Sequence, residues 1–302
     1  MIQSCSGSPE LDADIIAATG GELNPKIVPL ANYKQALELF DELNYTSEAW
    51  QAGIREVPRI YLSEITDRWS KVTTKEIDIP LKKKLFFRAI GPLALRSNEL
   101  ILQDRSRIEA IAKSSGKISA DEQIWLEALT NDYGLNPADF ENNVRLIEEL
   151  LPRVDIVPAS LVLAQAAEES GWGTSRFAFT GNALFGQWTW SGKGIRPAEQ
   201  RAGKGDYKIA AFDAPLQSVQ AHARNLNSHR AYADFRAERA RLRAAGARIS
   251  GHELAGTLTS YSERGAEYVK TLRSIMSYNK LDPADDAYLG NNQPIVMVDP
   301  DM

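Results

Sequence analysis

The chain has 302 residues, of which 43% are hydrophobic, and its formal net charge is -5 at pH 7. This length is typical of about two domains, or of one large domain with an added helical layer, and the acidic balance excludes the broad basic surface that a nucleic-acid partner requires. Because Cys5 is the one cysteine and the three histidines have no H-E-x-x-H spacing, we expect no disulfide, no metal site and no organic cofactor.

The N-terminal segment is polar and is predicted to form a flexible tail over residues 1–28. It lacks the basic and apolar regions of a secretory signal, and no run of about 18 apolar residues that could span a membrane occurs in the sequence. Cys5 and the Ser-Gly-Ser after it are similar to the start of a lipoprotein linker, but too few residues precede Cys5 for the signal that acylation needs. We therefore interpret Cys5 as an ordinary residue of the tail.

Residues 29–114 have the pattern of an N-terminal helical region. Asn32 is positioned to cap a short amphipathic helix, whereas residues 57–72 have no clear period and predict a loop with one helical turn. A long helical pattern then runs from Pro80 to about Lys113. Gly91-Pro92 interrupts this pattern, and we expect a kink or a break there because proline lacks an amide hydrogen and its ring clashes with the preceding turn.

Residues 115–283 continue as helices around one glycine-rich stretch and are predicted to form a second domain. Ser119–Glu122 is a capping box that begins a helix. A further helix covers about Pro137 to Leu151, and Pro158 opens a third. This third helix is apolar nearly all round, so we expect it to be central and buried.

The glycine-rich stretch, residues 182–212, has short alternating segments that predict two or three small strands. Helices resume after Asp213. A capping box at Ser250–Glu253 opens one of them, which is expected to reach Tyr261. The last stretch, residues 284–302, is rich in proline, asparagine and aspartate and is predicted to be a second flexible tail.

Glu169 ends the apolar helix and begins the run E-S-G-W-G, in which two glycines bracket a tryptophan. An acid in this position has limited access to water, and burial raises the pKa of a carboxyl group, as a general acid near neutral pH requires. Glu169 shares a helical stripe with Gln165 and Trp172, which are therefore candidates for substrate contact, while Glu168 lies about 100 degrees around the axis. The alternative is that Glu169 only caps the helix or forms a salt bridge.

The order of helices, small strands and helices predicts a mainly α (α+β) fold of the lysozyme-like kind, with an added N-terminal helical layer. In such a fold a buried helix presents an acid, and a small β-lobe faces it across a groove. Three motifs in this order resemble the glucosaminidase family of bacterial cell-wall hydrolases, and most of all its Bax-type members. They are A-Q-A-A-E-E-S-G-W-G at 164–173, N-A-L-F-G-Q-W at 182–188 and Y-S-E-R-G-A-E-Y-V at 261–269. The likeness to the Bax type extends from about Val57 to Leu281.

The resemblance implies cleavage of the β-1,4 glycosidic bond next to N-acetylglucosamine in peptidoglycan, with residues 115–283 as the catalytic domain. The general acid of the family matches Glu169 and not Glu168. The tyrosine of the family's cleft matches Tyr261, whose hydroxyl is implied to orient the N-acetyl group or the attacking water. A second tyrosine matches Tyr268, which alternatively packs in the core.

Residues 182–188 are implied to begin the β-lobe and to form part of the cleft floor, with Phe185 and the glycine after it shaping a turn. Gln187 and Trp188 are then candidates for sugar contacts, since an indole ring suits the apolar face of a pyranose. Phe185 and Tyr268 are further candidates for substrate contact. The family often has Ile-Lys after Phe-Gly, so this chain follows the Bax-type variant. The alternative for Trp188, and more so for Trp190, is a core aromatic residue of a small sheet.

Glycosidases generally need a second carboxylate, at about 5–5.5 Å from the first in retaining enzymes and about 6.5–9.5 Å in inverting enzymes. In the relatives it lies in the β-lobe, where this chain has Glu199 and Asp206. Glu263, two residues after Tyr261, is a further candidate. The alternative is that the acetamido group of the substrate is the nucleophile. Of the carboxylates we favour Glu199.

We therefore expect a hydrolase of peptidoglycan glycan strands that acts in the cell envelope or periplasm, with an export segment missing upstream or already removed. The nearest enzymatic alternative is a lytic transglycosylase, which also uses one buried glutamate but leaves an anhydro sugar. The alternative from a different class is a non-catalytic glycan-binding or envelope-scaffold module that has kept the cleft. The sequence leaves the oligomeric state open.

Overall fold

The computed structural model describes residues 9–114, 118–201, 203 and 205–300, and Cys5 lies outside them. The chain is mainly α-helical, as predicted. The described residues contain thirteen α-helices, which are α1 (Pro9–Thr19), α2 (Tyr33–Glu42), α3 (Ser47–Gln51), α4 (Thr74–Glu76), α5 (Ile79–Lys113), α6 (Ala120–Asp132), α7 (Asn143–Leu150), α8 (Ala159–Ser170), α9 (Arg176–Gly181), α10 (Pro215–Ser228), α11 (Ala233–Ala244), α12 (Gly251–Leu254) and α13 (Ala266–Tyr278).

The strands are short and pair into small sheets. They are β1 (Lys26–Pro29), β2 (Glu56–Val57), β3 (Ile60–Leu62), β4 (Trp188–Thr189), β5 (Gly194–Ile195), β6 (Lys208–Ala210), β7 (Tyr288–Leu289) and β8 (Ile295–Val298). β8 lies between β1 and β3 and is parallel to both, and β2 pairs in parallel with β7. β6 lies between β4 and β5 and is antiparallel to both. This last sheet is the β-lobe that the sequence predicts.

The chain divides into two compact units. Among the described residues, the first unit contains those up to Arg96, then Gln165–Val219 and those from Asp286 onward. The second unit contains Ser97–Ala164 and Gln220–Asp285. Each unit combines segments that are distant in the sequence, so neither coincides with a domain predicted from the sequence.

Several helices begin where the sequence predicts a cap. The side-chain oxygen of Asn32 accepts hydrogen bonds from the amides of Lys34 and Gln35 at 3.0 and 3.3 Å, and α2 begins there. Ser119 and Glu122 form the predicted capping box of α6, with reciprocal bonds of 3.2 and 2.9 Å. Such caps satisfy amides that the first turn of a helix leaves unpaired, and each contributes about 1 kcal/mol.

The helix α5 runs through Pro92 without the break that the sequence predicts. Ile90, Leu93 and Ala94 on either side of the proline are almost completely buried. A buried Leu or Ile side chain stabilises a fold by about 1.5–3 kcal/mol, so the burial around Pro92 offsets the roughly 3 kcal/mol that an internal proline costs. Within the described part of the chain, neither α5 nor another helix is both long and apolar enough to cross a bilayer.

The ends of the chain differ from the predicted flexible tails. Within the predicted N-terminal tail, α1 and β1 form, and β1 pairs with β8 from the predicted C-terminal tail. Ile295 and Met297 of β8 pack into a core cluster with Phe40, Ile60 and Leu85. The prediction of flexible tails is therefore wrong for these segments, because burial of the apolar run I-V-M-V orders the end of the chain.

Two predicted helices are shorter than expected. The helix predicted from about Pro137 begins as a 3-10 turn at Pro137–Asp139, and α7 starts only at Asn143, after Asn142 caps it. The helix predicted from the Ser250 cap to Tyr261 ends at Leu254 and continues as a 3-10 turn over Ala255–Thr257. Tyr261 therefore lies in a turn, where its amide donates to the carbonyl of Leu258 at 3.0 Å.

The start of α8 is held by a buried carboxylate of the second unit. Asp285 accepts hydrogen bonds from the amide and hydroxyl of Ser160 at 2.8 and 2.9 Å, and from the amide of Gly251 at 2.8 Å. Burial raises the pKa of Asp285 while these bonds oppose the rise. A carboxylate at a helix N-terminus also interacts favourably with the helix dipole, so Asp285 fixes where α8 begins.

Candidate active site

The helix α8 presents Glu169 in its last turn. The four residues from Ala164 to Ala167 are buried, and Glu168 and Glu169 are both half-buried. Burial alone therefore does not distinguish the two acids, which lie about 100 degrees apart around the helix axis. The C-terminal end of a helix carries partial negative charge, so this position favours the protonated form of a carboxyl group.

Three consecutive residues after α8 adopt left-handed backbone conformations. Gly171, Trp172 and Gly173 have φ angles of 58, 63 and 77 degrees, and the amide of Trp172 donates to the carbonyl of Ala167 at 2.9 Å. This is the bond that ends a helix in a Schellman motif. Positive φ is rare for a bulky residue such as tryptophan and clusters at functional sites. The turn therefore stops α8 directly after Ser170.

Trp172 is held by packing within the first unit. Its ring centroid lies 5.7 Å from that of Phe86 and 5.2 Å from that of Phe87, and the Lys83 ammonium lies 4.9 Å from the ring. Its carbonyl accepts a hydrogen bond from Nε1 of Trp69 at 2.9 Å. The prediction that Trp172 shares a helical stripe with Glu169 is wrong, because the helix ends before it. Trp172 anchors the turn that follows the acid.

Ser170 and Gly173 close the same turn. The Ser170 hydroxyl accepts a hydrogen bond from the Gly173 amide at 2.8 Å, and the Ser170 carbonyl accepts one from the Ser175 amide at 2.9 Å. A Cβ atom on Gly173 would lie 3.1 Å from Nε1 of Trp69. These contacts explain why serine and glycine occupy these two positions of E-S-G-W-G, since together the two residues fix the backbone that follows Glu169.

The segment 182–188 leads into the β-lobe in the first unit. Asn182 adopts a left-handed conformation, its side-chain oxygen accepts from the Ile65 amide at 2.9 Å, and its side-chain nitrogen donates to the carbonyl of Phe212 at 3.1 Å. Gln187 is half-buried, and its Oε1 atom is buried without a hydrogen-bond partner among the described residues. A buried acceptor left unpaired costs about 1–3 kcal/mol. A bound group that donates a hydrogen bond to Gln187 would remove this cost and so contribute to binding.

Trp188 stacks on Tyr207, with ring centroids 4.1 Å apart and an angle of 19 degrees between the planes. Trp190 lies edge-on to Trp188 at 6.1 Å and is 65% exposed. Trp188 is half-buried. Trp188 therefore packs within the sheet and still has a partly accessible ring. Trp190, for which the core was the favoured alternative, lies on the surface of the lobe.

Three residues predicted to contact substrate are buried instead. Gln165 is 0%, Phe185 4% and Tyr268 1% exposed. A side chain with so little surface offers a ligand almost no contact area in this conformation, and the three substrate contacts stay predictions. Gln165 was a candidate because it shares a helical stripe with Glu169. Such a stripe predicts the direction of a side chain but not whether neighbouring residues bury it.

The candidate second carboxylates are all exposed. Asp206 accepts hydrogen bonds from the Arg196 guanidinium at 3.0 and 2.9 Å and from Gln200 at 2.9 Å. The Gln200 bond and the Arg196 charge lower the pKa of Asp206, and its oxygens are thereby occupied. Glu199 lies in the same lobe between β5 and β6, and Glu263 lies in the turn after Tyr261 in the second unit.

Tyr261 belongs to an aromatic cluster of the second unit. Its ring stacks on Tyr268 with centroids 5.3 Å apart and planes 5 degrees apart, and it lies 5.8 Å from the ring of Tyr232. Its hydroxyl is 3.5 Å from Nδ1 of His222, a fully buried residue of α10. Sequence reasoning missed His222 and Tyr232, because a single histidine on a helix, or a tyrosine in the short turn before one, looks like an ordinary core residue.

A cavity of about 180 Å³ in the first unit is separate from Glu169. Gly173 of the E-S-G-W-G run contributes to its lining, which is mainly apolar and includes Phe40, Leu85, Phe86 and Ile90. An apolar lining is unsuited to a hydroxyl-rich sugar, so we assign this cavity no part in catalysis. No group of three or more His, Cys, Asp or Glu side chains that could hold a metal ion occurs in the part of the chain that the structure describes.

A mainly α fold with a small antiparallel lobe and a glutamate that ends a buried helix defines a protein of the lysozyme-like class. Residues 145–281 match the family model of Glucosaminidase, described as mannosyl-glycoprotein endo-beta-N-acetylglucosaminidase. Over 202 aligned residues the chain is 33% identical to Protein bax of Escherichia coli (strain K12). The aligned region covers 66% of this chain and 70% of that protein. The chain therefore belongs to the glucosaminidase family, a family of glycan hydrolases, and is of the Bax type. No solved structure matches it significantly.

Proposed function

We propose that this protein hydrolyses the β-1,4 bond next to N-acetylglucosamine in the glycan strands of peptidoglycan, with Glu169 as the general acid. Membership of the glucosaminidase family supports a glycan substrate. The observation that carries the assignment is the position of Glu169, half-buried in the last turn of α8 and followed by a turn that three left-handed residues fix.

In the proposed reaction, Glu169 donates a proton to the oxygen of the scissile bond while the bond from this oxygen to the anomeric carbon breaks. Partial burial and the negative end of the helix dipole both disfavour the ionised form of a carboxyl group in this position. Water then completes the hydrolysis, either directly or after a nucleophile has bonded to the anomeric carbon. The fixed turn at Gly171–Gly173 holds the acid in place, as such proton transfer requires.

The β-lobe supplies the sugar contacts in this proposal. The half-buried indole of Trp188, braced by Tyr207, offers an aromatic surface to a pyranose. The buried Oε1 of Gln187 needs a donor, and the N–H of an acetamido group would provide one after a small rotation of the side chain. Glu199 is our candidate for the second carboxylate, since the ion pair with Arg196 occupies Asp206.

The experiment that tests the function is mass spectrometry of the products from purified peptidoglycan. Hydrolysis at N-acetylglucosamine would release fragments that end in a reducing N-acetylglucosamine, which borohydride converts to the alcohol. Fragments that end in an anhydro sugar would identify a lytic transglycosylase instead. Binding without any new end group would leave only a glycan-binding module.

We propose the cell envelope as the place of action, because this is where the substrate lies.

In the proposed reaction the Tyr261 hydroxyl orients the N-acetyl group or the attacking water. Tyr261→Phe should therefore lower kcat by about tenfold or more, because loss of this hydrogen-bond donor weakens stabilisation of the transition state. The phenylalanine ring still fills the space against Tyr268 and Tyr232, so the melting temperature should change little. Turnover and thermal unfolding are measured on one preparation. An active variant whose stability falls by about 1 kcal/mol, as for a lost hydrogen bond, would return Tyr261 to a purely structural role.

Chelation by EDTA should leave turnover unchanged, because acid catalysis by Glu169 requires no bound metal ion. The described residues contain no cluster of ligands suited to one. Activity is compared before and after dialysis against EDTA, with the melting temperature as a control for unfolding. Loss of activity that zinc or another divalent cation restores would contradict the cofactor-free mechanism.

A further inference from the structure

The cavity of the first unit lies where three parallel strands end. Its lining includes Leu30 and Ala31 directly after β1, Glu64 after β3 and Asp299 directly after β8. The carboxyl ends of the three strands meet at one edge of the sheet, because β8 pairs in parallel with both β1 and β3. In open α/β sheets, ligands bind in the crevice outside this edge. The position therefore marks the cavity as a candidate ligand site.

The apolar part of the lining sets the size of a ligand. The cavity has a volume of about 180 Å³, and an apolar cavity of about 150 Å³ in another protein binds benzene. Side chains that are almost completely buried form much of the lining, among them Phe40, Leu85, Phe86 and Ile90. The cavity therefore suits an apolar group about the size of one aromatic ring or a short alkyl chain.

The charged side chains of the lining set the chemistry of its polar end. They are Glu64, Arg68 and Asp299. The Arg68 guanidinium donates to the carbonyl of Ala31 and, at 3.3 Å, to the carboxylate of Asp299. The positive charge of Arg68 is thus compensated by Asp299, which leaves the charge of Glu64 to consider.

Glu64 is half-buried, and within the described part of the chain its carboxylate has neither a hydrogen bond nor an ion pair. Burial raises the pKa of this carboxyl group, and the negative charges of Asp299, Asp14 and Asp67 add to the rise. The same surroundings repel an anionic group, whereas a cation placed beside Glu64 is attracted to it. An ammonium group also donates the hydrogen bonds that this carboxylate lacks.

We propose that the cavity binds a small amine, whose apolar group lies among the buried side chains and whose ammonium group pairs with the Glu64 carboxylate. The ligand belongs to the alkylamines or arylalkylamines, and its apolar part is about the size of a benzene ring. Binding of this kind uses neither Glu169 nor the β-lobe. It is therefore a function beyond the proposed hydrolysis of glycan strands.

Three probes that share a phenethyl group test the role of charge. Phenethylamine, phenethyl alcohol and hydrocinnamate are cationic, neutral and anionic near neutral pH, and isothermal titration calorimetry measures their affinity for the full chain. We expect the amine to bind about tenfold more tightly than the alcohol, because a charge-assisted hydrogen bond is roughly twice as strong as a neutral one. Hydrocinnamate should bind more weakly than either.

Variants of the lining locate the bound probe. Glu64→Gln keeps the volume of the side chain and removes its charge, so it should weaken binding of the amine about tenfold and leave that of the alcohol unchanged. Asp67→Asn is the matched control, since Asp67 is exposed and accepts from the Lys71 ammonium at 2.6 Å. It should change neither affinity. Ala36→Leu adds atoms to the lining and should abolish binding of both probes.

Several outcomes would overturn the proposal. They are no binding of the amine at millimolar concentration, equal affinity for the three probes, tighter binding of hydrocinnamate, and an amine affinity that Glu64→Gln leaves unchanged. Binding that persists in Ala36→Leu would place the probe outside the cavity, and Ala89→Leu repeats this test from α5 if the first variant is unstable. All these measurements are made without peptidoglycan, so their failure is distinguishable from a failure of the proposed function.

Discussion

Glu169→Gln should reduce the turnover of peptidoglycan by about 100-fold or more, the contribution typical of a general acid. The amide keeps the volume of the carboxyl group but has no proton of suitable acidity to donate. Loss of a negative charge near the C-terminal end of α8 is also expected to stabilise the helix slightly. The variant should therefore be inactive and at least as stable as the original protein, as measured by product release and thermal unfolding.

Glu168→Gln is the matched control for this variant. Glu168 is the neighbouring residue of α8, has the same chemistry and is also half-buried. It carries the same charge near the same helix end, so both substitutions should affect stability alike. Only the direction of the side chain differs. If Glu168→Gln abolishes turnover and Glu169→Gln preserves it, the acid is assigned to the wrong residue.

Local features of this fold could be predicted from the sequence. The caps at Asn32 and Ser119 depend on side chains within three residues of the amides that they satisfy. The strands of the β-lobe lie within residues 188–210 and pair with neighbours. In each case the residues that signal the structure also make its hydrogen bonds, so a short window of sequence contains the information.

The sheet that joins the two ends of the chain could not be predicted in this way. The partners of Ile295 in β8 are Lys26 in β1 and Ile60 in β3. Each segment alone is a short strand in a polar context, and its stability comes from a partner that the local pattern does not reveal. Pro92 is a similar case, because the burial that offsets its cost comes from the tertiary structure.

In the candidate site, too, local features could be predicted from the sequence, and features that depend on the tertiary structure could not. The position of Glu169 in the last turn of a buried helix could be predicted, because a buried helix and its stop signal are both local patterns. The burial of Gln165, Phe185 and Tyr268 could not, since periodicity gives the face of an element but not whether that face meets a cleft or the core. His222 is the reverse case, a residue with an ordinary helical pattern that the fold brings to the Tyr261 hydroxyl.

Asp155→Asn should destabilise the protein by about 3–5 kcal/mol, because it leaves a buried guanidinium without its counterion. Asp155 is 2% and Arg239 0% exposed, and Nε of Arg239 lies 3.9 Å from the Asp155 carboxylate. Arg243 donates to the same carboxylate at 2.6 Å, and Arg105 lies 3.5 Å from it. Burial lowers the pKa of Arg239 to about 10, and the charge of Asp155 opposes this fall. A guanidinium is not deprotonated in proteins near neutral pH, so the cost of the unpaired charge remains in the variant. The free energy of unfolding is measured by urea denaturation.

The same network also holds the segment that leads into α8. Arg239 also donates to the carbonyls of Pro152 and Ile156 at 2.9 and 2.7 Å, in the segment that leads into α8. Asp206→Asn is the matched control, since it removes the carboxylate of an exposed pair with Arg196, and solvent-exposed pairs contribute little. We expect the urea midpoint of Asp206→Asn to be unchanged and that of Asp155→Asn to fall sharply. If both midpoints shift equally, the guanidinium of Arg239 does not depend on Asp155, and its backbone hydrogen bonds alone hold the segment before α8.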